Sequence, residues 1–179
     1  MTYGPCSSLQ RLDQKVTLVT GATGILGRRF CHGFAELGAS VAVVDIDEGS
    51  VESFAAELCD QYGVPTVGVV CDVSDPVSVR EMVNQVVSVL GGIHVLHNNA
   101  ATKGRDLRAF FAPFEDYSLE TWREVMNVNI DGMFLVAQAV GRQMIRQGGG
   151  GAVIQTSSIY GIVAPDPKIY EGSDYLGGP

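Results

Sequence analysis

Three groups of residues have the types and spacing to do chemistry. The first is Thr20-Gly21-Ala22-Thr23-Gly24-Ile25-Leu26-Gly27, a glycine-rich run between an apolar stretch and an amphipathic one. Glycine there allows a tight turn and close approach of the backbone to a pyrophosphate. A helix starting at its end would offer unpaired N–H groups and a favourable dipole. By itself the run is equally served by a plain turn packing a helix on a strand. The second group is Asp45, followed by Ile46, at the end of an apolar stretch about 20 residues beyond the loop, where a carboxylate bonds the adenosine ribose of a dinucleotide. Together the two groups specify a dinucleotide. A carboxylate in that place repels a 2′-phosphate, so NAD is expected ahead of NADP. Arg28 or Arg29 would weaken the preference if either turned toward the ribose. The third group is Ser157-Ser158, emerging at the carboxyl end of an apolar stretch, where open α/β sheets place their ligands; a serine pair there also serves as a helix cap or a turn.

These groups need elements to hold them, and from Lys15 onward apolar runs alternate with helical patterns, the signature of parallel strands joined by crossover helices. Strands are expected over Val16 to Thr20, Val41 to Asp45, Pro65 to Val70, Ile93 to His97 and Ala152 to Thr156. The first helix carries the stripe Leu26, Phe30, Phe34, Leu37 and ends at Gly38. A second helix spans the segment around Val51 to Tyr62. Asp75 and Pro76 form a helix start, N-cap and first-turn proline, ahead of the stripe Val79, Met82, Val83, Val86, Leu90. One long helix is expected from Leu119 to Gln147. The connection Ala101 to Tyr117 exceeds a routine strand-to-helix loop, and long loops often serve a site. The fold class is therefore α/β, a Rossmann-like doubly wound parallel sheet in one domain over residues 1–179. It is expected to be cut after the fifth strand, since Ser157 to Pro179 reads as loop.

The chain has 179 residues, 46% of them hydrophobic, enough for a core. With 20 acidic against 12 basic side chains the formal charge is −8 and the basic residues are scattered, which argues against a nucleic-acid partner. No run of 18 apolar residues and no signal-peptide pattern occurs, so a cytoplasmic protein without a membrane partner is expected. Cys6, Cys31, Cys59 and Cys71 form no C-x-x-C pair, and His32, His94 and His97 do not sit at ligand spacing beside them. Reduced structural thiols, packed or surface histidines and no metal are the expectation.

From Lys15 to Gly161 the chain resembles the short-chain dehydrogenase/reductase family. The resemblance rests on the glycine loop with Asp45, on Cys71-Asp72-Val73 after strand three and on Asn98-Asn99-Ala100 after strand four, where Ala101 replaces the last glycine of the family's Asn-Asn-Ala-Gly. Trp122, Val125, Asn127-Val128-Asn129, Gly132 and Phe134 match its central helix, and Ile154-Gln155-Thr156-Ser157-Ser158 with Gly161 matches its fifth strand. The resemblance implies that Gly21, Thr23, Gly24, Ile25, Leu26 and Gly27 line the phosphates, Asp45 and Ile46 the ribose, and Cys71, Asp72 and Val73 the adenine. Asn99, Ala100 and Ala101 would touch the cofactor. Ser158 becomes the catalytic serine that bonds the substrate oxygen, and Asn129 the residue that holds a water in the proton relay. The implied reaction is hydride transfer between nicotinamide and a secondary alcohol or ketone, by a homodimer or homotetramer assembled through the central helix and the next one. Residues Gly161 to Gly172 and the insert Lys103 to Phe114 resemble a subgroup linked to flagellin glycan and sugar modification, which implies a sugar derivative as substrate.

Two departures matter. The loop is spaced G-x-x-G-x-x-G, as in the extended branch of sugar-nucleotide epimerases and dehydratases, whereas the later motifs are classical. The family's Tyr-x-x-x-Lys is also missing: Ala164, Asp174 and Pro179 stand four positions after Tyr160, Tyr170 and Tyr175, and Ala164 stands four before Lys168. Without a phenol lowered by a lysine ammonium these 179 residues are expected to be inactive. The alternatives are a non-catalytic NAD-binding module, an extended-type epimerase or dehydratase, and a structural protein that keeps the fold without cofactor.

Overall fold

The computed structural model describes residues 11–163 together with 166 and 168. The expectations placed on Cys6, Tyr170 and Tyr175, and on most of the segment after Ala164, lie outside the described residues. The elements run β1 (Val16–Thr20), α1 (Ile25–Glu36), β2 (Ser40–Asp45), α2 (Glu48–Tyr62), β3 (Thr66–Val70), α3 (Pro76–Leu90), β4 (Val95–Asn98), α4 (Leu107–Phe110), α5 (Leu119–Met126), α6 (Met133–Gln147) and β5 (Ala152–Gln155). All strands pair in parallel, in the order β3-β2-β1-β4-β5. The direction of winding reverses between β1 and β4, which makes the carboxyl edge there the crevice where such sheets bind ligands.

Side chains alternate across the pleat and fill two apolar layers. Val16, Leu18, Ala42 and Val44 pack against Val79, Met82, Val83 and Val86 of α3 and Val136, Val140 and Met144 of α6. Val19, Val41 and Val43 pack against Cys31 and Ala35 of α1 and Val51, Phe54 and Leu58 of α2. Every residue of β1 is buried, which fits its mostly apolar character; the hydroxyls of its two threonines, Thr17 and Thr20, are hydrogen-bonded. By contrast all four residues of β5, an edge strand, are exposed.

The caps form as their residue types require. Asp75 accepts hydrogen bonds from the N–H groups of Val77 and Ser78, with Pro76 in the first turn of α3. Asp47 caps α2 through Ser50 N, which starts that helix at Glu48, earlier than its apolar pattern at Val51 suggests.

Two expectations need correction. The buried stripe of α1 is Gly27, Cys31 and Ala35, whereas Leu26 is 57% exposed and Phe30 and Phe34 flank the contact half-buried. The reason is closeness: a Cβ on Gly27 would lie 2.0 Å from the Gly21 carbonyl oxygen, so only the small-residue side of α1 can meet the sheet. The expected single helix from Leu119 to Gln147 is interrupted by a π-helical turn, Asn127–Gly132, between α5 and α6. Two tertiary contacts fall on that turn. Asn129 is bonded through its side chain to the Thr102 backbone, and Gly132 faces Val73 so closely that a Cβ would stand 2.9 Å from Val73 Cγ2. The connection after β4 holds α4, capped by Asp106, and a 3-10 turn at Phe114–Asp116.

Candidate functional site

The glycine loop leaves β1 and turns into α1 within four residues. Gly21 has φ +63°, and a Cβ there would lie 2.9 Å from Ala100 Cα, so both the conformation and the approach of the β4 loop require glycine. Gly24 differs: a Cβ on it would meet only the Gly21 carbonyl oxygen, at 3.4 Å, and its outer side is open. Gly24 is the N-cap of α1 and makes no side-chain cap bond, and the first turn contains no acidic residue. An open glycine before an uncapped, uncompensated helix start fits a pyrophosphate and would repel nothing anionic.

Asp45, at the end of β2, clasps this loop. Its Oδ2 accepts from Thr23 N at 2.9 Å and from Thr23 Oγ1 at 2.7 Å, while Oδ1 accepts from Ile46 N at 2.8 Å. At the end of β3, Asp72 Oδ1 accepts from both Ser74 N and Ser74 Oγ. On the other side, Thr20 Oγ1 accepts from the N–H groups of Asn99 and Ala100 and donates to Asn98 Oδ1 at 3.1 Å. Asn99 Nδ2 donates to the carbonyls of Thr20 and Gly21, and Asn98 Nδ2 to that of Met133. The two asparagines thereby lock β1, β4 and the start of α6 around the loop.

A cleft of about 990 Å³ opens along this carboxyl edge. It brings together Gly21, Thr23, Gly24, Ile25, Leu26, Gly27, Asp45, Ile46, Cys71, Asp72, Val73, Asn99, Ala100 and Ala101, all the residues the sequence points to for cofactor binding. Ile25, Leu26 and Ile46 stand exposed along it. Thr102, Lys103, Gly104, Arg105, Glu124, Asn127 and Val128 also line it, and sequence reasoning assigned them no part in the site. The length of the connection after β4 was a signal for Thr102 to Arg105, and the central-helix match one for Asn127 and Val128; Glu124 carried none. Glu124 holds that connection by accepting from Arg105 N at 3.1 Å.

Ser158 and Asn129 do not line this cleft. Ser158 follows β5 and caps the 3-10 turn Ile159–Gly161, its Oγ accepting from Tyr160 N at 3.2 Å. Asn129 engages the Thr102 backbone at both ends of its amide, accepting at Oδ1 at 2.7 Å and donating from Nδ2 at 3.0 Å. Cys31 and Cys71 are buried free thiols, pushed by burial up to about 12 and about 11. Among the described residues no group of three or more His, Cys, Asp or Glu side chains is placed to hold a metal, and no helix is long and apolar enough to cross a membrane.

A sequence profile of the short chain dehydrogenase family matches residues 15–171. The chain belongs to that family. D-threitol dehydrogenase of Mycolicibacterium smegmatis is 37% identical over 159 residues, covering 89% of this chain and 58% of that protein. L-rhamnose 1-dehydrogenase (NAD(P)(+)) of a Sphingomonas species is 32% identical over 156 residues, covering 87% and 59%. The crystal structure of NAD+-bound xylitol dehydrogenase superposes with a TM-score of 0.78 at 36% identity, covering 86% of this chain and 56% of that one. A short-chain type dehydrogenase/reductase from Mycobacterium marinum gives 0.81 at 33%, covering 89% and 62%. This short-chain dehydrogenase chain thus spans between 56% and 62% of the length of these relatives.

Proposed function

We propose that the protein is an NAD-dependent oxidoreductase that exchanges hydride with a secondary alcohol or ketone, and that these 179 residues form its cofactor-binding part. The observation that carries this reading is the cleft itself, with the open Gly24 at the start of α1 on its floor and the Asp45 carboxylate at its ribose end. Bound NAD would supply the hydride acceptor. Asp45, already carrying two protons' worth of donors from Thr23, has lone pairs left for ribose hydroxyls, and its charge disfavours the 2′-phosphate of NADP. Asp72 and Val73 would flank the adenine, and Asn99, Ala100 and Ala101 the nicotinamide end.

Ser158 Oγ accepts from Tyr160 N, which leaves its proton to donate to a substrate oxygen. Because the Asn129 amide is committed to Thr102 at both ends, a water in a proton relay at this position would rest on backbone groups of the π-turn. The base itself is what the sequence lacks. Tyr-x-x-x-Lys does not occur among these 179 residues, although Ser158 does. That makes a non-catalytic NAD-binding module the second reading.

The substrate class we favour is a polyol or sugar, on the names of the D-threitol, L-rhamnose and xylitol dehydrogenases it resembles. Those relatives lend nothing to the flagellin-linked resemblance, and their dehydrogenase names speak against an epimerase despite the glycine spacing. A cytoplasmic homodimer or homotetramer completes the proposal. Trp122, Ile130 and Phe134 lie exposed at four- and eight-residue intervals along the central helix, a stripe suited to a second copy.

Calorimetric titration with NAD and with NADP tests the reading. Binding of NAD with a Kd at least about tenfold below that of NADP supports it, and absence of binding by either overturns it. Polyol-dependent reduction of NAD by this chain above the level of Ser158→Ala would overturn the second reading.

A further inference from the structure

One buried ionisable group has no part in the scheme above. His97, on β4, is 7% exposed, stacks on Phe30 with ring centroids 4.0 Å apart and meets Phe34 edge-on at 6.0 Å. Its Nε2 lies 3.2 Å from Thr156 Oγ1, just past β5. Thr156 Oγ1 is in turn 3.3 Å from Asn99 Oδ1, and Asn99 Nδ2 faces the carbonyls of Thr20 and Gly21 at 3.2 and 3.4 Å.

The direction of every bond in this chain follows from its far end. Two carbonyls can only accept, so the Asn99 nitrogen is the donor and its Oδ1 the acceptor. Thr156 has one proton, and it goes to Asn99. The remaining bond must therefore be given by His97 Nε2–H, which fixes the neutral ring with a bare Nδ1. That Nδ1 is buried and has no hydrogen-bond partner. A second proton there would create a buried cation whose new N–H meets no acceptor.

We infer that His97 is a positioning residue whose neutral ring, through Thr156, holds β5 and Asn99 against the glycine loop, so that acid loosens the cofactor-binding end of the sheet. The inference rests on the cofactor reading above. No nearby charge compensates the cation. On α1, Arg28 is engaged by Glu57 at 2.6 Å and His32 by Tyr62 and Glu57. β1 and β5 carry no titratable side chain, and His94, before β4, is tied to Val16 N at the opposite end of the strand. Burial alone lowers the His97 pKa. The way out for a protonated ring is through β5, an exposed edge strand; its displacement takes Thr156 from Asn99 and leaves the Gly21 carbonyl without that support.

The test is NAD affinity of the full chain by calorimetry between pH 7.5 and 5.5, with hydrogen exchange of the β5 amides over the same range. In the wild type, Kd should rise toward about tenfold per pH unit once His97 begins to protonate, and β5 exchange should exceed its intrinsic pH dependence. His97→Gln keeps a donor for Thr156 and cannot titrate, so both pH effects should disappear. Thr156→Val should weaken NAD at pH 7.5 and leave less for acid to remove. A wild-type affinity independent of pH, or a fall that persists in His97→Gln, overturns the inference. If NAD binds at no pH, the cofactor reading is what fails. Exchange at β5 then still decides the role of His97, since equal acid opening in wild type and His97→Gln overturns it.

Discussion

Asp45 Oδ2 accepts two hydrogen bonds from one residue, the backbone N–H and the hydroxyl of Thr23, at 2.9 and 2.7 Å. The carboxylate proposed to meet the ribose is therefore also the clasp that holds the glycine loop to β2. The two tasks are linked: without the clasp, Gly24 and the start of α1 lose one of the contacts that fix them toward the cleft.

Asp45→Ala should thus do more than remove a ribose contact. Hydrogen bonds to a charged acceptor contribute about 1.5–3 kcal/mol, so NAD affinity should fall by about ten- to a hundredfold and the NAD over NADP preference should shrink. Thr23→Val, which keeps the N–H bond and loses the hydroxyl, should weaken NAD by less and leave the preference in place. Paired titrations with the two cofactors measure both.

Gly27→Ala should unfold or strongly destabilise the chain, because the added Cβ would meet the Gly21 carbonyl at 2.0 Å and Ala22 Cα at 2.7 Å, both backbone atoms. The expected cost is about 3 kcal/mol or more. Gly24→Ala has room for its methyl, with the nearest atom at 3.4 Å, and should leave thermal stability nearly intact while weakening NAD. Melting curves with and without NAD separate the two cases.

Stability should fall on acidification through the histidine range. His94 Nδ1 accepts from Val16 N at 3.0 Å, and both His94 and His97 have pKa values lowered in the fold, His94 by burial and then by Lys15, His97 by burial. The unfolded chain, with histidines near ~6.5, binds more protons in this range, so stability is full above that pH and declines as pH drops through the lowered folded values. Melting temperature at pH 7.5 should exceed that at 5.5, and His94→Ala should narrow the gap.

Cysteine reactivity should divide the thiols sharply. Cys31 and Cys71 are buried, with pKa values near 12 and 11, and should resist alkylation at pH 8 in the native chain, whereas the exposed Cys59 reacts. Mass spectrometry of peptides after brief iodoacetamide treatment checks this.

Ile130→Glu or Phe134→Glu should shift any self-association toward monomer, since each puts a charge in the exposed stripe of the central helix. Sedimentation velocity at matched concentrations provides the readout.

Strand positions, the α/β class and the set of residues that line the cleft were legible in the sequence because each depends on a local pattern. Apolar runs bounded by glycine and proline mark β1 to β5 to within a residue or two, Asp75-Pro76 marks a helix start, and the glycine loop and the strand-ending Asp45 mark two sides of the cleft. Three features were decided only by tertiary contact. The stripe of α1 is set by the close approach of Gly27 to Gly21, which favours small residues over Leu26. The π-turn at Asn127–Gly132 coincides with the Asn129 bond to Thr102 and the packing of Gly132 on Val73, partners 27 and 59 positions away along the chain. The orientation of His97, a residue to which sequence assigned no role, depends on Thr156 and Asn99 meeting across β4 and β5. Local periodicity and spacing specify which elements form and which edge of the sheet carries the site. Hydrogen bonds and close contacts between residues far apart in the chain can be assigned only once the sheet order brings their partners together.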